Sequence, residues 1–145
     1  MLINNIKVKY VREGMEKIGK ISTGDWVDLR SAVDIELKRG EFYCIPLGVA
    51  MQLPEFCEAI IAPRSSTFKK WGIIQTNSIG IIDESYCGDN DEWCLPVLAV
   101  RDTRISKNDR ICQFRIFHHQ PLITFTCVDS LNNKDRGGLG STGEK

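Results

Sequence analysis

Apolar and polar residues alternate in short blocks along most of this chain. Ile6-Lys7-Val8-Lys9-Tyr10-Val11 carries an apolar side chain at every second position, as a strand with one wet face does. Val33-Asp34-Ile35-Glu36-Leu37 repeats the pattern before a turn at Lys38-Arg39-Gly40. The same reasoning predicts short strands over 42–45, 48–53, 58–62, 94–100 and 110–117. Pro46, Pro54, Pro63 and Pro96 punctuate them, and Asp102, Asn108 and Asp109 add turn chemistry. Many short strands at this spacing predict an antiparallel sandwich or barrel rather than a βαβ sheet. One short helix is predicted over about 66–71. Ser65 or Ser66 can cap its start, Lys69 and Lys70 fall in its last turn, and Gly72 can close it. After Val128 the apolar rhythm stops and polar residues and glycines take over. The sequence therefore predicts one packed domain over 1–127 and a flexible arm over 128–145.

The bulk properties narrow the function. A chain of 145 residues is long enough for one core. Nineteen basic residues balance nineteen acidic ones, so no global field draws in nucleic acid or an anionic membrane. No apolar h-region opens the chain and no apolar run approaches a bilayer's thickness, which predicts a soluble, cytoplasmic protein with neither nucleic acid nor membrane as partner. Six cysteines, at 44, 57, 87, 94, 112 and 127, form no C-x-x-C pair, and only His118 and His119 could join them. That spacing excludes a structural zinc site and predicts reduced, mostly buried thiols.

Three segments carry chemistry. Pro63-Arg64-Ser65-Ser66 leads a strand into a helix start, where free N–H groups and serine hydroxyls can receive an anion; an ordinary helix cap reads the same way. Asn77-Ser78-Ile79-Gly80-Ile81-Ile82-Asp83-Glu84-Ser85-Tyr86-Cys87-Gly88 sets an amide, a carboxylate and an aromatic among β-formers and glycines. As a single strand over 77–83 it would put Asn77, Ile79, Ile81 and Asp83 on one face. Asp83, following two isoleucines, is expected to be partly desolvated and so suited to general-base work, with a turn-capping aspartate as the alternative. Gly137-Gly138-Leu139-Gly140-Ser141-Thr142-Gly143 offers hydroxyls between glycines, a composition able to wrap a triphosphate and also that of a plain linker.

These segments, in this order, resemble those of the trimeric dUTP diphosphatase (dUTPase) family. Gly80, Ile82, Asp83, Tyr86 and Gly88 match its G-x-[IV]-D-x-x-Y-x-G pattern, and Pro63 to Ser66 match P-R-S-[SG]. Gly24-Asp25-Trp26-Val27-Asp28-Leu29 resembles A-G-Y-D-L, with Trp26-Val27 as a departure. Lys107-Asn108-Asp109-Arg110-Ile111-Cys112-Gln113 resembles K-G-D-R-I-A-Q. The tail resembles R-G-x-G-G-F-G-S-T-G, with Leu139 in place of the aromatic and Arg136 directly before the glycine pair. The segment 89–93 is longer than the family's G-E-W. The likeness spans about residues 7–143.

The resemblance implies an all-β, jelly-roll-like antiparallel barrel, a dUTPase-like β-clip. It implies hydrolysis of dUTP to dUMP and pyrophosphate, which removes dUTP and supplies dUMP for thymidylate synthesis. Asp83 would activate the attacking water. Tyr86, beside Ile82, would pack on the deoxyribose and exclude a 2′-hydroxyl, and Asn77 would read the uracil edge. Ser65 and Ser66, with Gln113, would contact phosphate, and Arg64 would be a buried organising charge. Arg136, Leu139, Gly140, Ser141 and Thr142 would close over the nucleotide from a neighbouring subunit of a homotrimer whose active sites lie at subunit interfaces. Mg2+ would be held mainly by phosphate oxygens and water, with Asp28 near it through water. A dCTP deaminase of the same superfamily needs a glutamate in the strand after the hairpin, and Cys94 to Val100 offers none. A nucleotide-sensing regulatory protein on the same scaffold is the rival from another class.

Overall fold

The computed structural model describes residues 5–140, so Ser141 and Thr142 lie outside the described residues. Eleven strands and one helix succeed each other, and every strand pair is antiparallel. The strands are β1 (Lys7–Tyr10), β2 (Val27–Arg30), β3 (Ile35–Leu37), β4 (Phe42–Pro46), β5 (Val49–Gln52) and β6 (Cys57–Pro63). After helix α1 (Thr67–Trp71) come β7 (Ile73–Gln75), β8 (Gly80–Ile82), β9 (Cys94–Ala99), β10 (Thr103–Ile105) and β11 (Arg110–His118).

A four-stranded sheet, β2-β11-β6-β8, lies against a three-stranded one, β4-β9-β7, with two-stranded ribbons β1-β5 and β10-β3 completing the shell. The description of a jelly roll fits this nearly all-β layout, although the sheets do not join into one closed hydrogen-bonded barrel. The alternation seen in the sequence sets which side chains turn inward. Cys57, Ala59 and Ile61 of β6 are buried, as are Leu95, Val97 and Ala99 of β9. At the centre Trp93 is fully buried and meets Phe114 edge-to-face, with ring centroids 5.3 Å apart.

Two local expectations need correcting. Neither serine caps the helix through its side chain: Ser66 occupies the N-cap without a side-chain bond. Thr67 instead ties the turn ahead of the helix to β11, its Oγ1 accepting from the Arg64 N–H at 2.9 Å and donating to the Ile111 carbonyl at 2.9 Å. At the other end Gly72 adopts φ 58°, the left-handed conformation that favours glycine, and its N–H bonds the Phe68 carbonyl. The segment 77–83 is also not one strand. The chain turns at Asn77 and Ser78, the latter at φ 60°, and pairs with β6 only from Gly80 to Ile82. A Cβ at Gly80 would come within 3.2 Å of the Ile61 Cβ, so this close approach of β8 to β6 suits glycine.

Beyond His118 there is no strand or helix among the described residues, and every residue from Gln120 to Gly140 is exposed. Among the described residues no helix is long and apolar enough to cross a membrane.

Candidate active site

Two concavities gather most of the candidate residues, and no residue lines both. The first, about 310 Å³, is lined by Asp28, Arg64, Ser65, Arg110 and Gln113 together with Ile21 and residues 23–26. Its floor is an ion-pair network. Asp28, on β2, receives Arg64 Nε on one oxygen at 2.8 Å and Arg110 Nη1 on the other at 3.1 Å. Arg64 also donates to the Arg110 carbonyl at 3.1 Å. Gln113 stands opposite Asp28 in the β2–β11 register and donates from Nε2 to the Pro63 carbonyl at 3.1 Å. Strand pairing thus brings four polar groups from three sequence-distant segments to the turn that starts α1. Arg64 and Asp28 keep about a quarter of their side-chain surface, 23% and 22%. Arg64 is therefore half-buried rather than buried, and its charge is directed at Asp28. Ser65 is exposed and Ser66 half-buried beside it.

The second concavity, about 490 Å³, is lined by Asn77, Ile82, Asp83, Tyr86, Glu92 and Cys94 among others. Asn77 is aimed by a residue the sequence reading passed over: Gln75, buried on β7, donates from Nε2 to Asn77 Oδ1 at 3.0 Å and to the Ile61 carbonyl at 3.1 Å. With its oxygen so used, Asn77 presents its NH2 group as a donor. The signal was available, since a glutamine alternating with Ile73 falls on the inward face of an otherwise apolar strand. Tyr86 donates its hydroxyl to the Glu92 carbonyl at 3.1 Å. The Glu92 carboxylate is itself gripped by Arg12 at 2.6 and 2.9 Å and by the Gly48 N–H at 3.1 Å. Nothing local in the sequence links Arg12 to Glu92, eighty positions apart. Burial pushes the Tyr86 phenol above its ordinary value, with the Asp91 carboxylate adding to it, so the hydroxyl stays a donor.

Asp83 differs from its expectation. It lies just past the end of β8 and is exposed in the single chain, not desolvated. Its Oδ1 accepts from the Ser85 N–H at 2.9 Å and from the Ser85 hydroxyl, which is the turn-capping geometry. Those two bonds, the hydroxyl's first, hold its carboxyl below the usual value and outweigh the little burial it has. Ser85, two residues on, is the partner an Asx turn calls for, and the D-x-S spacing could have revealed it.

Arg136, Leu139 and Gly140 lie on the exposed C-terminal stretch and line neither concavity of their own chain. Among the described residues no group of three or more His, Cys, Asp or Glu side chains converges as metal ligands.

Comparison with known proteins places these observations in a family. Residues 26–143 match the dUTPase family. The chain is 58% identical over 140 residues to the SPbeta prophage-derived deoxyuridine 5'-triphosphate nucleotidohydrolase YosS of Bacillus subtilis, covering 97% of this chain and 99% of that protein. It is 38% identical over 146 residues to the deoxyuridine 5'-triphosphate nucleotidohydrolase of Finegoldia magna, covering 95% and 99%. Among solved structures, a dUTPase of Staphylococcus bacteriophage 80alpha, a mutant described with dUpNHpp, superposes with a TM-score of 0.77 at 20% identity, covering 97% of this chain and 99% of that one. A mutant dUTPase from phage phi11 of S. aureus, described as coordinating a structural Mg(II) ion, gives 0.76 at 17% identity, covering 90% and 100%. At such identities the structural likeness speaks for the fold.

Proposed function

This chain belongs to the dUTPase family, and we propose that it hydrolyses dUTP to dUMP and pyrophosphate at a composite site built from its two concavities. The observation that carries this reading is how the family-matched residues sort. Base- and sugar-reading candidates (Asn77, Ile82, Tyr86) and the acid Asp83 share one cleft, while the phosphate-reading candidates Ser65 and Gln113, with the organising charge of Arg64, share the other. One nucleotide needs both sets. Because no residue lines both clefts, the reading pairs the nucleoside cleft of one copy with the phosphate cleft of a neighbour in a homotrimer. An apolar row supports such assembly: Phe42, Leu98 and Ile74 stand side by side across β4, β9 and β7, with 63%, 37% and 47% of their surfaces open to water. The C-terminal arm, with Arg136, Leu139, Gly140, Ser141 and Thr142, would close over the nucleotide from another copy.

The chemistry follows from named atoms. Asp83 is ionised at neutral pH. With Oδ1 committed to Ser85, Oδ2 has no protein partner among the described residues and is the oxygen available to take a proton from water. That water attacks the α-phosphorus, and pyrophosphate leaves. Trimer formation would supply the desolvation that Asp83 lacks in the single chain. The Asn77 NH2 group meets the carbonyl at C4 of uracil. Cytosine would turn an amino group toward it and leave two donors facing each other, a mismatch that discriminates strongly. Tyr86, fixed through Glu92, forms the wall against ribose.

Magnesium suits this architecture only as a companion of the substrate. Both oxygens of Asp28 are ion-paired to arginines, so Asp28 does not fit as a direct ligand. When bound, Mg2+ would ride on triphosphate oxygens and water, where it offsets charge. Pyrophosphate release measured with dUTP, dCTP, dTTP and UTP tests the assignment. Release from dUTP alone is expected. Equal release from UTP would remove Tyr86 as the sugar gate, and release from none, with tight dUTP binding, would favour a nucleotide sensor.

A further inference from the structure

Of the six cysteines, two stand together. Cys44 on β4 and Cys94 on β9 sit at diagonal positions of an antiparallel pair, Cys44 opposite Pro96 and Cys94 opposite Pro46. Diagonal neighbours on one face are within side-chain reach. Here the Cys44 thiol donates to Cys94 Sγ across 2.7 Å. That is well inside van der Waals separation for two sulfurs, so closure into a bond needs a shift of under an ångström from either strand. Both residues are exposed in the single chain, Cys94 on the wall of an open cleft, and both are free thiols. The remaining cysteines lack such a partner: Cys57 and Cys112 are buried, and Cys87 and Cys127 are exposed without a thiol in bonding contact.

Their position matters as much as their spacing. Cys94 lines the same cleft as Asn77, Asp83 and Tyr86, and the next residues back along the chain are Trp93, the core's central side chain, and Glu92, whose carbonyl fixes Tyr86. A covalent tie at Cys94 therefore pulls on the strand end that holds the sugar wall.

We propose that Cys44 and Cys94 form a reversible disulfide under hydrogen peroxide, and that this bond reshapes the nucleoside cleft. The sulfur of Cys44 attacks one peroxide oxygen, the O–O bond breaks, and one water leaves to give the sulfenic acid of Cys44. Cys94 Sγ then attacks that sulfur, the S–O bond breaks, a second water leaves, and the Sγ–Sγ bond forms. In sum two thiols lose two hydrogens and one peroxide becomes two waters. A thiol reductant reverses the bond by exchange. Burial, reinforced by the Cys44 contact, pushes the Cys94 thiol above its ordinary value, and the sum of the steps is the same whichever of the two sulfurs is oxidised first.

The effect on turnover rests on reading this cleft as the nucleoside site, whereas bond formation does not. The test treats the full-length protein in its native assembly with hydrogen peroxide, maps its thiols by mass spectrometry, and measures dUTP kinetics before oxidation, after it, and after dithiothreitol. The expected result is a linked Cys44–Cys94 peptide, four remaining thiols of the six, and a several-fold rise in KM that dithiothreitol reverses. Cys44→Ser should keep the reduced enzyme's kinetics and lose the peroxide response. Cys44 and Cys94 recovered unlinked, whether untouched or as separate sulfinic acids, would overturn the proposal, and so would a linked pair with unchanged KM. A linked peptide from a preparation that never turns over dUTP would leave the disulfide standing and sink the enzymatic reading instead.

Discussion

The two clefts are built on opposite principles. The proposed phosphate cleft is a charged network: one carboxylate, Asp28, holds two guanidinium groups from segments distant in sequence. The proposed nucleoside cleft relies on a turn, a glutamine-aimed amide and a tyrosine tied to a backbone carbonyl. One side is organised before any ligand arrives, with its positive charges pinned by Asp28. The other leaves the Asp83 carboxylate open to water and fixes only one of its oxygens. A substrate with a neutral base and a highly charged chain matches that division, because charge needs preorganised countercharge while a base needs shape and donor pattern.

The sharpest way to break this comparison is at the acid. Asp83→Asn keeps an oxygen to accept the Ser85 N–H and removes the base, so pyrophosphate release should fall by about 10²–10⁴-fold. Binding of dUTP, followed by calorimetry, should persist. Near-normal turnover would strip Asp83 of its role and leave it the turn cap it also is.

The charged cleft should respond in a different currency. Arg64→Ala leaves Asp28 with a single arginine at a half-buried site, and a cost of about 1–3 kcal/mol in stability is expected, between exposed and fully buried pairs. Thermal unfolding would register it as a drop of roughly 2–4 °C per kcal/mol. KM should rise as well, since the turn at Ser65 loses its anchor. If Tm holds while KM rises, the network is less important to folding than its geometry suggests.

A third variant probes the exposed arm. Leu139→Phe restores an aromatic lid, and stacking worth about 0.5–1.5 kcal/mol corresponds to a KM lower by roughly two- to tenfold. An unchanged KM would mean that Leu139 does not reach the base.

The sequence made the alternating strands legible because burial on one face enforces a period of two, and seven strands fall close to their expected places. It missed the short pieces β2, β7 and β10, where three or four residues carry too little periodicity to read. Candidate residue types could be picked out through family motifs, but their partners could not. Arg12 with Glu92 and Arg64 with Asp28 are long-range pairs that only the sheet register brings together. The desolvation expected of Asp83 failed for a related reason. Two isoleucines precede it, yet the chain leaves the sheet at Ile82 and the carboxylate falls on a turn in water. Burial belongs to a residue's place in the packed molecule, and here the proposed assembly would supply the missing cover.

The smallest effect is also the most local. Ser85 supplies both bonds that hold the Asp83 carboxyl below its ordinary value. A depressed folded value means the ionised form is favoured by the fold. That contribution is present above the unfolded carboxylate value and disappears as pH falls through the lower, folded one. Ser85→Ala removes the hydroxyl donor and keeps the N–H, so the Asp83 pKa should rise toward the ordinary value and stop short of it. The acid limb of the kcat/KM profile should therefore move to higher pH, with the plateau near neutrality little changed. A limb that stays where it was would assign the acid limb to another group and separate the turn's structural role from the chemistry of its carboxylate.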